Sequence, residues 1–215
     1  MILSPERRSA LTAKAKSYAG SVSQVLPYLA RRGITGEVAG MFTLGYAADG
    51  EFARRLTIPY TTPAGVVQIK YRCTDPHHHD DTGLKHIESE CPRYLYEAGT
   101  STHLYNAQVL IHATDRVVIT EGELDAICVQ AYTGLPAVAY PGVETWKKHA
   151  YYRLCFEGVS EVIVVADGDK VGREAAKRVA DSIGMNARTV DMPAGHDSNS
   201  FLATQGVDEY LKRLQ

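Results

Sequence analysis

The stretch VIVVADGDKVGREAA, residues 162–176, decides the fold that the sequence predicts. Its first five residues are apolar and mostly β-branched, which is typical of a strand buried on both faces of a parallel sheet. Asp-Gly-Asp follows directly, and the apolar residues beyond it recur at helical spacing, which predicts a helix over about 171–183. A buried strand that leads through an acidic turn into a helix is one half of a βαβ unit.

The rest of the C-terminal half repeats this alternation. Short apolar runs predict further strands, and the segments between them have helical spacing. The strands are expected at 117–120, 137–140 and 187–190, and the helices at about 124–132, 144–156 and 207–214. This order predicts an α/β fold for residues 111–215, with a Rossmann-like parallel sheet flanked by helices.

The first half of the chain has a different pattern. Ser4-Pro5 is a capped helix start, and a second helix is expected to end near Gly33. Two strands, 55–60 and 66–72, flank a Pro-Ala-Gly turn and predict a hairpin. A polar, His-rich insert is expected at about 74–91. Residues 1–110 are therefore predicted to form a small α+β subdomain in front of the parallel sheet.

Three carboxylates follow two of the predicted parallel strands. Glu121 comes after one strand, and Asp167 and Asp169 come after the other. The carboxyl ends of parallel strands meet at one sheet edge, where like charges repel unless a cation is bound. Mg²⁺ prefers oxygen ligands and binds phosphates, and Gly122 and Gly168 are expected to let a phosphate approach. Either motif alone is also typical of a helix cap or a solvated loop, but the pair favours a Mg²⁺ or Mn²⁺ site for phosphodiester chemistry.

The two acidic motifs resemble a known family. VVITEGELDA (117–126) and VVADGDKVGREAA (164–176) resemble the signature motifs of the Toprim domain. The form DGDxxGRxAA is most similar to the DnaG-type replicative primases, particularly the short primase-like proteins of tailed phages. MPAGHDSN (192–199) resembles the primase segment that supplies further acids, in which Asp197 matches one acid and Asn199 replaces the other. Segments 28–34, 42–47, 55–59 and 92–95 resemble the primase N-terminal subdomain.

The resemblance implies a DNA primase catalytic core that makes short RNA primers on single-stranded DNA by Mg²⁺-dependent nucleotidyl transfer. It assigns catalysis and metal binding to Glu121, Asp167 and Asp169, with Asp125 and Asp197 as secondary acidic ligands. An acid that favours a helix N-terminus is the alternative for Asp125.

Basic and aromatic side chains are expected to hold nucleotide and template, because guanidinium groups bind phosphates with paired hydrogen bonds. The resemblance indicates Arg72 and Arg93, with Lys70, Lys170 and Arg173 as further candidates. A template-binding patch could include Arg31, Arg32, Arg54 and Arg55. Three tyrosines could stack on bases, although core packing is predicted for at least two of them: Tyr94, Tyr96 and Tyr105.

The four cysteines form no CxxC pair. Two of them lie in apolar helical patterns and are predicted to be buried packing residues, Cys128 and Cys155. The others flank the His-rich insert, where histidines 77–79 and 86 could complete a zinc site. The candidate ligand set is Cys73, His77, His86 and Cys91, and the alternative is a polar loop that binds no metal.

Composition limits the remaining functions. No run of eighteen apolar residues and no signal-peptide pattern is found, so a cytoplasmic protein without membrane association or disulfides is expected, in the host cytoplasm if phage-encoded. The net charge of -2 gives no overall attraction to nucleic acid.

Partners and competing functions follow from the same resemblance. Ribonucleoside triphosphates and single-stranded DNA are the expected substrates. A replicative helicase or another replisome protein is expected to act in trans, because the zinc-ribbon and helicase-binding regions of full-length primases are not recognised here. A Toprim Mg²⁺-dependent nuclease and a non-catalytic nucleic-acid-binding module remain as alternatives, whereas a topoisomerase needs a large additional domain that 215 residues do not accommodate.

Overall fold

A computed structural model describes residues 3–75, 78 and 91–215. The chain divides into two compact units, Met1–Ser101 and Thr102–Gln215. The boundary predicted from the sequence lies between residues 110 and 111 instead. The segment after Ser101 belongs to the second unit because Leu104 is buried in that unit's core and Tyr105 forms a β-bridge with Ala139.

The N-terminal unit combines short helices with an antiparallel sheet. The helices are α1 (Pro5–Ala19), α2 (Leu26–Ala30) and α3 (Gly36–Met41), and the strands are β1 (Gly45–Ala47), β2 (Arg55–Thr62), β3 (Gly65–Cys73) and β4 (Tyr94–Tyr96). The strands pair in the order β1-β2-β3-β4. Helix α1 packs Leu11 and Ala15 against Ile69 and Tyr71 of β3. The predicted hairpin is confirmed, since β2 and β3 pair through the expected turn.

Two local expectations for this unit have clear outcomes. Ser4 caps α1 as predicted, since its hydroxyl accepts a hydrogen bond from the Arg7 backbone N–H. The second helix is not continuous: Val22–Val25 is a 3₁₀ turn, and α2 begins only at Leu26. Pro27 explains the break, because proline lacks an N–H to donate and is tolerated in the first turn of a helix.

The C-terminal unit is an α/β structure with a four-stranded parallel sheet. Its strands are β5 (Arg116–Thr120), β6 (Ala137–Ala139), β7 (Glu161–Ala166) and β8 (Ala187–Asp191), in the order β6-β5-β7-β8. Its helices are α4 (Glu123–Thr133), α5 (Val143–Lys148), α6 (Lys170–Ile183), α7 (Ser198–Gln205) and α8 (Val207–Arg213). The β-branched residues of β5 and β7 are fully buried, which confirms the strands that the sequence predicts.

The helix predicted for 144–156 is interrupted. It consists of α5 followed by a 3₁₀ segment, Ala150–Phe156. The tighter turn of a 3₁₀ helix changes which positions face inward. Tyr152 and Phe156 are buried, whereas Cys155 is exposed, so the prediction that Cys155 is a buried packing residue is wrong. The same prediction for Cys128 is confirmed.

Within residues 3–75, 78 and 91–215, no helix combines the length and the apolar character that crossing a membrane requires.

Candidate metal centre

Strand pairing places the acidic motifs at one edge of the parallel sheet. Strands β5 and β7 are hydrogen-bonded neighbours, with Ile119 opposite Val164. Each strand runs on for one or two residues and then reaches its carboxylates, Glu121 after β5 and Asp167 after β7. Both side chains therefore leave the sheet at its carboxyl-terminal edge, where open α/β sheets bind their ligands.

Asp167 is the most strongly perturbed of these acids. Burial and the neighbouring carboxylates of Glu121, Asp197 and Asp169 raise the pKa of Asp167 from its usual 3.8 to about 7. Like charges and low solvent exposure both disfavour the ionised form. Three neighbouring carboxylates thus act on Asp167, and a bound cation would relieve their repulsion with it.

Tyr140 also belongs to this edge. It follows β6, the other neighbour of β5, and is buried. Burial, the charges of Glu121 and Asp167, and a hydrogen bond with Glu121 all raise the pKa of the Tyr140 hydroxyl. The hydroxyl therefore stays protonated and can donate to the Glu121 carboxylate. Tyr140 was not among the residues predicted from sequence, although it too lies directly after a parallel strand, the position that indicated the acids.

Asp169 and Asp197 are both helix caps. Asp169 precedes α6, and its Oδ1 accepts from the Gly172 backbone N–H at 2.7 Å. Asp197 precedes α7, and its Oδ1 accepts from the Ser200 backbone N–H at 2.7 Å, completing a capping box. In each cap only one of the two carboxylate oxygens is used, so capping and cation binding are compatible for both acids.

Gly168 brings Asp197 close to Asp167. A Cβ at Gly168 would lie 1.9 Å from the Pro193 carbonyl oxygen, so only glycine allows the segment after β8 to pack there. The Gly168 N–H also donates to the His196 carbonyl at 2.8 Å. Gly168 thus has a packing role, because it lets two backbones approach, and its expected role in admitting a phosphate stays a prediction.

Asp125 and Asn199 join helix α4 to helix α7. Asp125 is buried, and its Oδ1 accepts from the Asn199 backbone N–H at 2.8 Å. The Asn199 side chain is also buried and donates to Cys128 Sγ at 2.9 Å. Gly122 permits this arrangement, because a Cβ there would lie 2.4 Å from Asp125 Oδ2. Asp125 thus has an observed structural partner, and its role as a metal ligand stays a prediction.

The donor set at the sheet edge suits Mg²⁺ or Mn²⁺. All the candidate ligand atoms are carboxylate oxygens, which hard divalent cations prefer. Within the described part of the chain, no three of these carboxylates have ligand oxygens that all lie within 4.8 Å of one another. Mg²⁺ keeps several of its waters, so widely spaced carboxylates can hold it through one or two direct contacts each.

Three predicted nucleotide-binding residues gather around Tyr94 in the N-terminal unit. Lys70 Nζ lies 4.0 Å from the ring centroid, and the guanidinium carbons of Arg72 and Arg93 each lie 5.3 Å from it. Lys70 and Arg72 are buried, and Arg72 donates hydrogen bonds to the hydroxyls of Tyr94 and Tyr28. Arg93 is exposed. We call Lys70, Arg72, Arg93 and Tyr94 the basic cluster.

The other basic candidates are dispersed. Lys170 and Arg173 lie on the exposed face of α6, where the Lys170 side chain is 86% exposed and 4.0 Å from Glu174. Arg55 is buried, so it is not part of an exposed template patch. Its guanidinium donates to the Pro92 carbonyl at 2.7 Å, a structural role that the sequence did not indicate.

The remaining residues of the predicted template patch have separate surroundings. Arg54 pairs with Asp75 at 3.1 Å, while Arg31 and Arg32 lie over the Tyr28 ring.

The prediction that at least two of the three candidate stacking tyrosines pack in the core is wrong. Tyr105 is buried, but Tyr94 is half-buried and Tyr96 is 45% exposed. Strand β4 lies at one edge of its sheet, which explains why its residues have less cover than a central strand gives.

One predicted metal-ligand group converges in part. The ligand atoms of Cys73, His78 and Cys91 all lie within 4.8 Å of one another. His77 and His86, the histidines of the predicted ligand set, lie outside the described residues. The choice among three consecutive histidines depends on the path of the chain after β3, which sequence spacing does not specify.

Comparisons with known proteins agree with this geometry. Residues 116–208 match the Toprim domain family, so the C-terminal unit is a Toprim domain. The chain is 39% identical over 130 residues to the gene 57 protein of Mycobacterium phage D29, covering 60% of this chain and 83% of that protein. It is 26% identical over 229 residues to the DNA primase of Pseudomonas putida, covering 87% of this chain but only 34% of the primase.

A solved structure, a DnaG primase catalytic domain bound to single-stranded DNA, superposes with a TM-score of 0.72 at 22% identity, covering 98% of this chain and 79% of that one. At that identity the likeness establishes the fold. The chain belongs to the family of Toprim-domain proteins that includes the DnaG-type primases and the phage D29 gene 57 protein. It spans about a third of the length of the bacterial primase that it matches.

Proposed function

We propose that this chain is the catalytic core of a DNA primase, which joins ribonucleotides into short RNA primers on a single-stranded DNA template by Mg²⁺-dependent nucleotidyl transfer. One observation carries the proposal: carboxylates from separate strands meet at the edge of the parallel sheet closely enough to raise the pKa of Asp167 to about 7. The family membership supports it, since the bacterial relatives are DNA primases and a structural relative binds single-stranded DNA.

The carboxylates would hold the cation. We assign Glu121, Asp167 and Asp169 as principal ligands, with Asp197 and Asp125 as secondary acids. When bound, Mg²⁺ or Mn²⁺ supplies the positive charge that activates a hydroxyl group and stabilises the transferring phosphate. Asp167 must release its proton to become a ligand, and the raised pKa makes that step sensitive to pH near neutrality.

Tyr140 would orient Glu121. Its buried hydroxyl shares a hydrogen bond with the Glu121 carboxylate, and such hydrogen bonds fix the position of a metal-ligating side chain. The capped helices do the same for Asp169 and Asp197, because each cap holds one carboxylate oxygen and leaves the other outside the cap.

The basic cluster would bind nucleotide and template. Arg93 is exposed beside the Tyr94 ring, so its guanidinium can reach a phosphate from solvent. Arg72 and Lys70 are buried beside the same ring, where their positive charges would strengthen phosphate binding. Lys170 and Arg173 are secondary candidates, because both are exposed in the first turn of α6 directly after Asp169.

Partners are proposed on the strength of the family resemblance. Ribonucleoside triphosphates and single-stranded DNA are the substrates. A replicative helicase or another replisome protein acts in trans, in the cytoplasm of a bacterial host. Priming that increases when the host helicase is added, and that stays unchanged with an unrelated helicase, would support that partnership.

Primer synthesis is tested with purified protein, single-stranded DNA, Mg²⁺ and labelled ribonucleotides. We expect short, alkali-sensitive RNA products that require Mg²⁺ and disappear with Asp167→Asn. Asp115→Asn is the matched control, because Asp115 is exposed at the opposite end of strand β5. Arg93→Ala should raise the nucleotide concentration needed for synthesis, whereas the exposed Arg153→Ala should not.

The same reaction distinguishes the competing functions. Cleavage of the DNA, or of an added RNA, without synthesis would replace the primase proposal by a Mg²⁺-dependent nuclease. Binding of single-stranded DNA with neither synthesis nor cleavage, even with a host helicase present, would indicate a non-catalytic module.

A further inference from the structure

Sulfur and nitrogen donors converge where strand β3 of the N-terminal unit ends. Cys73 is the last residue of β3 and is buried, and Cys91 lies shortly before β4. The two sulfur atoms are 3.6 Å apart, and His78 Nδ1 lies 3.6 Å from Cys73 Sγ. All three ligand atoms lie within 4.8 Å of one another. This group belongs to the N-terminal unit, and the proposed reaction assigns no role to it.

The spacing agrees with tetrahedral zinc. With zinc–sulfur bonds of about 2.3 Å and zinc–nitrogen bonds of about 2.0 Å, tetrahedral angles place two sulfurs about 3.8 Å apart and a sulfur and a nitrogen about 3.5 Å apart. The observed separations of 3.6 Å and 3.6 Å match both values to within about 0.2 Å.

The third donor distinguishes this arrangement from a pair of thiols. Two thiols in van der Waals contact, or two cysteines about to form a disulfide, would also have their sulfurs close together, but neither requires a histidine. His78 adds a nitrogen donor beside Cys73 Sγ. Two thiolates and an imidazole are a ligand set that zinc prefers and that Mg²⁺ does not.

The surrounding structure holds the two sulfurs in place. The Cys73 backbone N–H donates to the Arg93 carbonyl at 3.0 Å, which ties the end of β3 to the segment entering β4. Arg55, which is buried, donates to Cys91 Sγ at 3.1 Å and to the Pro92 carbonyl at 2.7 Å. Hydrogen bonds of this kind fix the orientation of metal-ligating side chains.

We propose that Cys73, His78 and Cys91 bind a structural zinc ion, with a fourth coordination position left for water or another ligand. Binding displaces the two thiol protons to solvent and leaves the oxidation state of the sulfurs unchanged. The ion would tie the end of β3 to the segment before β4, and its binding to the folded chain would shift the folding equilibrium toward the folded state. The site is thus predicted to stabilise the N-terminal unit and to take no part in phosphodiester chemistry.

Zinc content is the direct test. The full chain should be purified without a polyhistidine tag and without chelator, and its metal content measured by mass spectrometry. We expect about one zinc per chain, a loss of most of it in Cys91→Ser and in His78→Ala, and retention in His78→Cys, which keeps three soft donors. Cys155→Ser and His112→Ala are the matched controls, because both residues are exposed and lie in the other unit.

Two further measurements separate loss of the metal site from loss of the fold: the absorption of the cobalt-substituted protein and the number of free thiols. The Co²⁺-substituted protein should show the absorption of a tetrahedral thiolate site, and this absorption should change in Cys91→Ser while circular dichroism stays unchanged. Folded wild-type protein without stoichiometric zinc would overturn the proposal, as would zinc retained in both Cys91→Ser and His78→Ala, or a Cys73–Cys91 disulfide in protein isolated under reducing conditions. None of these readouts depends on primer synthesis.

Discussion

Replacing Asp167 by asparagine should stabilise the metal-free protein, although it removes a proposed catalytic ligand. The pKa of Asp167 is raised from 3.8 to about 7, so the folded state resists its ionisation. When the pKa of an acid is higher in the folded than in the unfolded state, its protonated form contributes to the free energy of unfolding. That contribution is fully present below the pKa of the unfolded state and is lost as the pH rises through the pKa of the folded state. Ionisation of Asp167 therefore lowers the free energy of unfolding of the wild-type protein at about pH 8, and Asp167→Asn removes this loss.

The size of the effect follows from the shift. A difference of about three pKa units, at about 1.4 kcal/mol each, sets an upper limit of about 4 kcal/mol. Solvent screening of this half-buried carboxyl reduces the expected gain to about 2 kcal/mol at about pH 8. The gain should shrink as the pH falls toward about 4, where the wild-type side chain is protonated in both states.

Denaturant unfolding with and without Mg²⁺ measures both parts of this prediction. In chelator at pH 8, Asp167→Asn should unfold at a higher denaturant concentration than wild type. Saturating Mg²⁺ should then stabilise the wild-type protein and leave the variant nearly unchanged, because the ion compensates the clustered charges only where Asp167 is present. Asp115→Asn should behave as wild type in both conditions. A variant that is less stable than wild type in chelator, or that Mg²⁺ stabilises equally, would refute the reasoning.

Three further predictions concern the supporting structure. Gly168→Ala should destabilise the fold by about 3 kcal/mol or more in thermal unfolding, because its methyl group would overlap the Pro193 carbonyl; an unchanged melting temperature would contradict this. Asp125→Ala should cost about 2 kcal/mol, since it leaves the first turn of α7 without a buried acceptor; Mg²⁺ should not restore the loss. Burial acts to raise the pKa of Glu97, but hydrogen bonds and the Lys14 charge lower it overall. Glu97→Gln should therefore cost about 1 kcal/mol at neutral pH, and the difference should vanish as the pH falls through the lowered pKa; a pH-independent cost would argue against the ion pair.

Much of the parallel sheet could be predicted because its signals are local. The apolar, β-branched runs of β5 and β7 are typical of strands that are buried on both faces of a parallel sheet. The acids follow those strands directly. The order β6-β5-β7-β8 makes β5 and β7 neighbours although they are not consecutive strands, but the carboxyl ends of all parallel strands meet at one sheet edge. The meeting of Glu121 and Asp167 was therefore accessible from sequence, although the observed carboxylate spacing was not.

The rest of the site depends on interactions between distant segments. Gly168 reads as a turn glycine, and only the structure reveals that Pro193 packs against it. Tyr140 reads as the end of a strand until its hydroxyl is found beside Glu121. Periodicity gives the faces of regular elements, but it does not give the path of loops or the change from α to 3₁₀ geometry that exposes Cys155.

The central claim, that the carboxylates at the sheet edge bind the catalytic cation, is tested most directly by counting bound Mn²⁺. Free Mn²⁺ has an electron paramagnetic resonance signal that is lost on binding, so a titration gives the number and affinity of sites. We predict saturable binding to the wild-type chain and to Asp115→Asn, and a loss of at least tenfold in affinity for Asp167→Asn, which corresponds to about 1.4 kcal/mol. Equal binding by wild type and Asp167→Asn would contradict the claim.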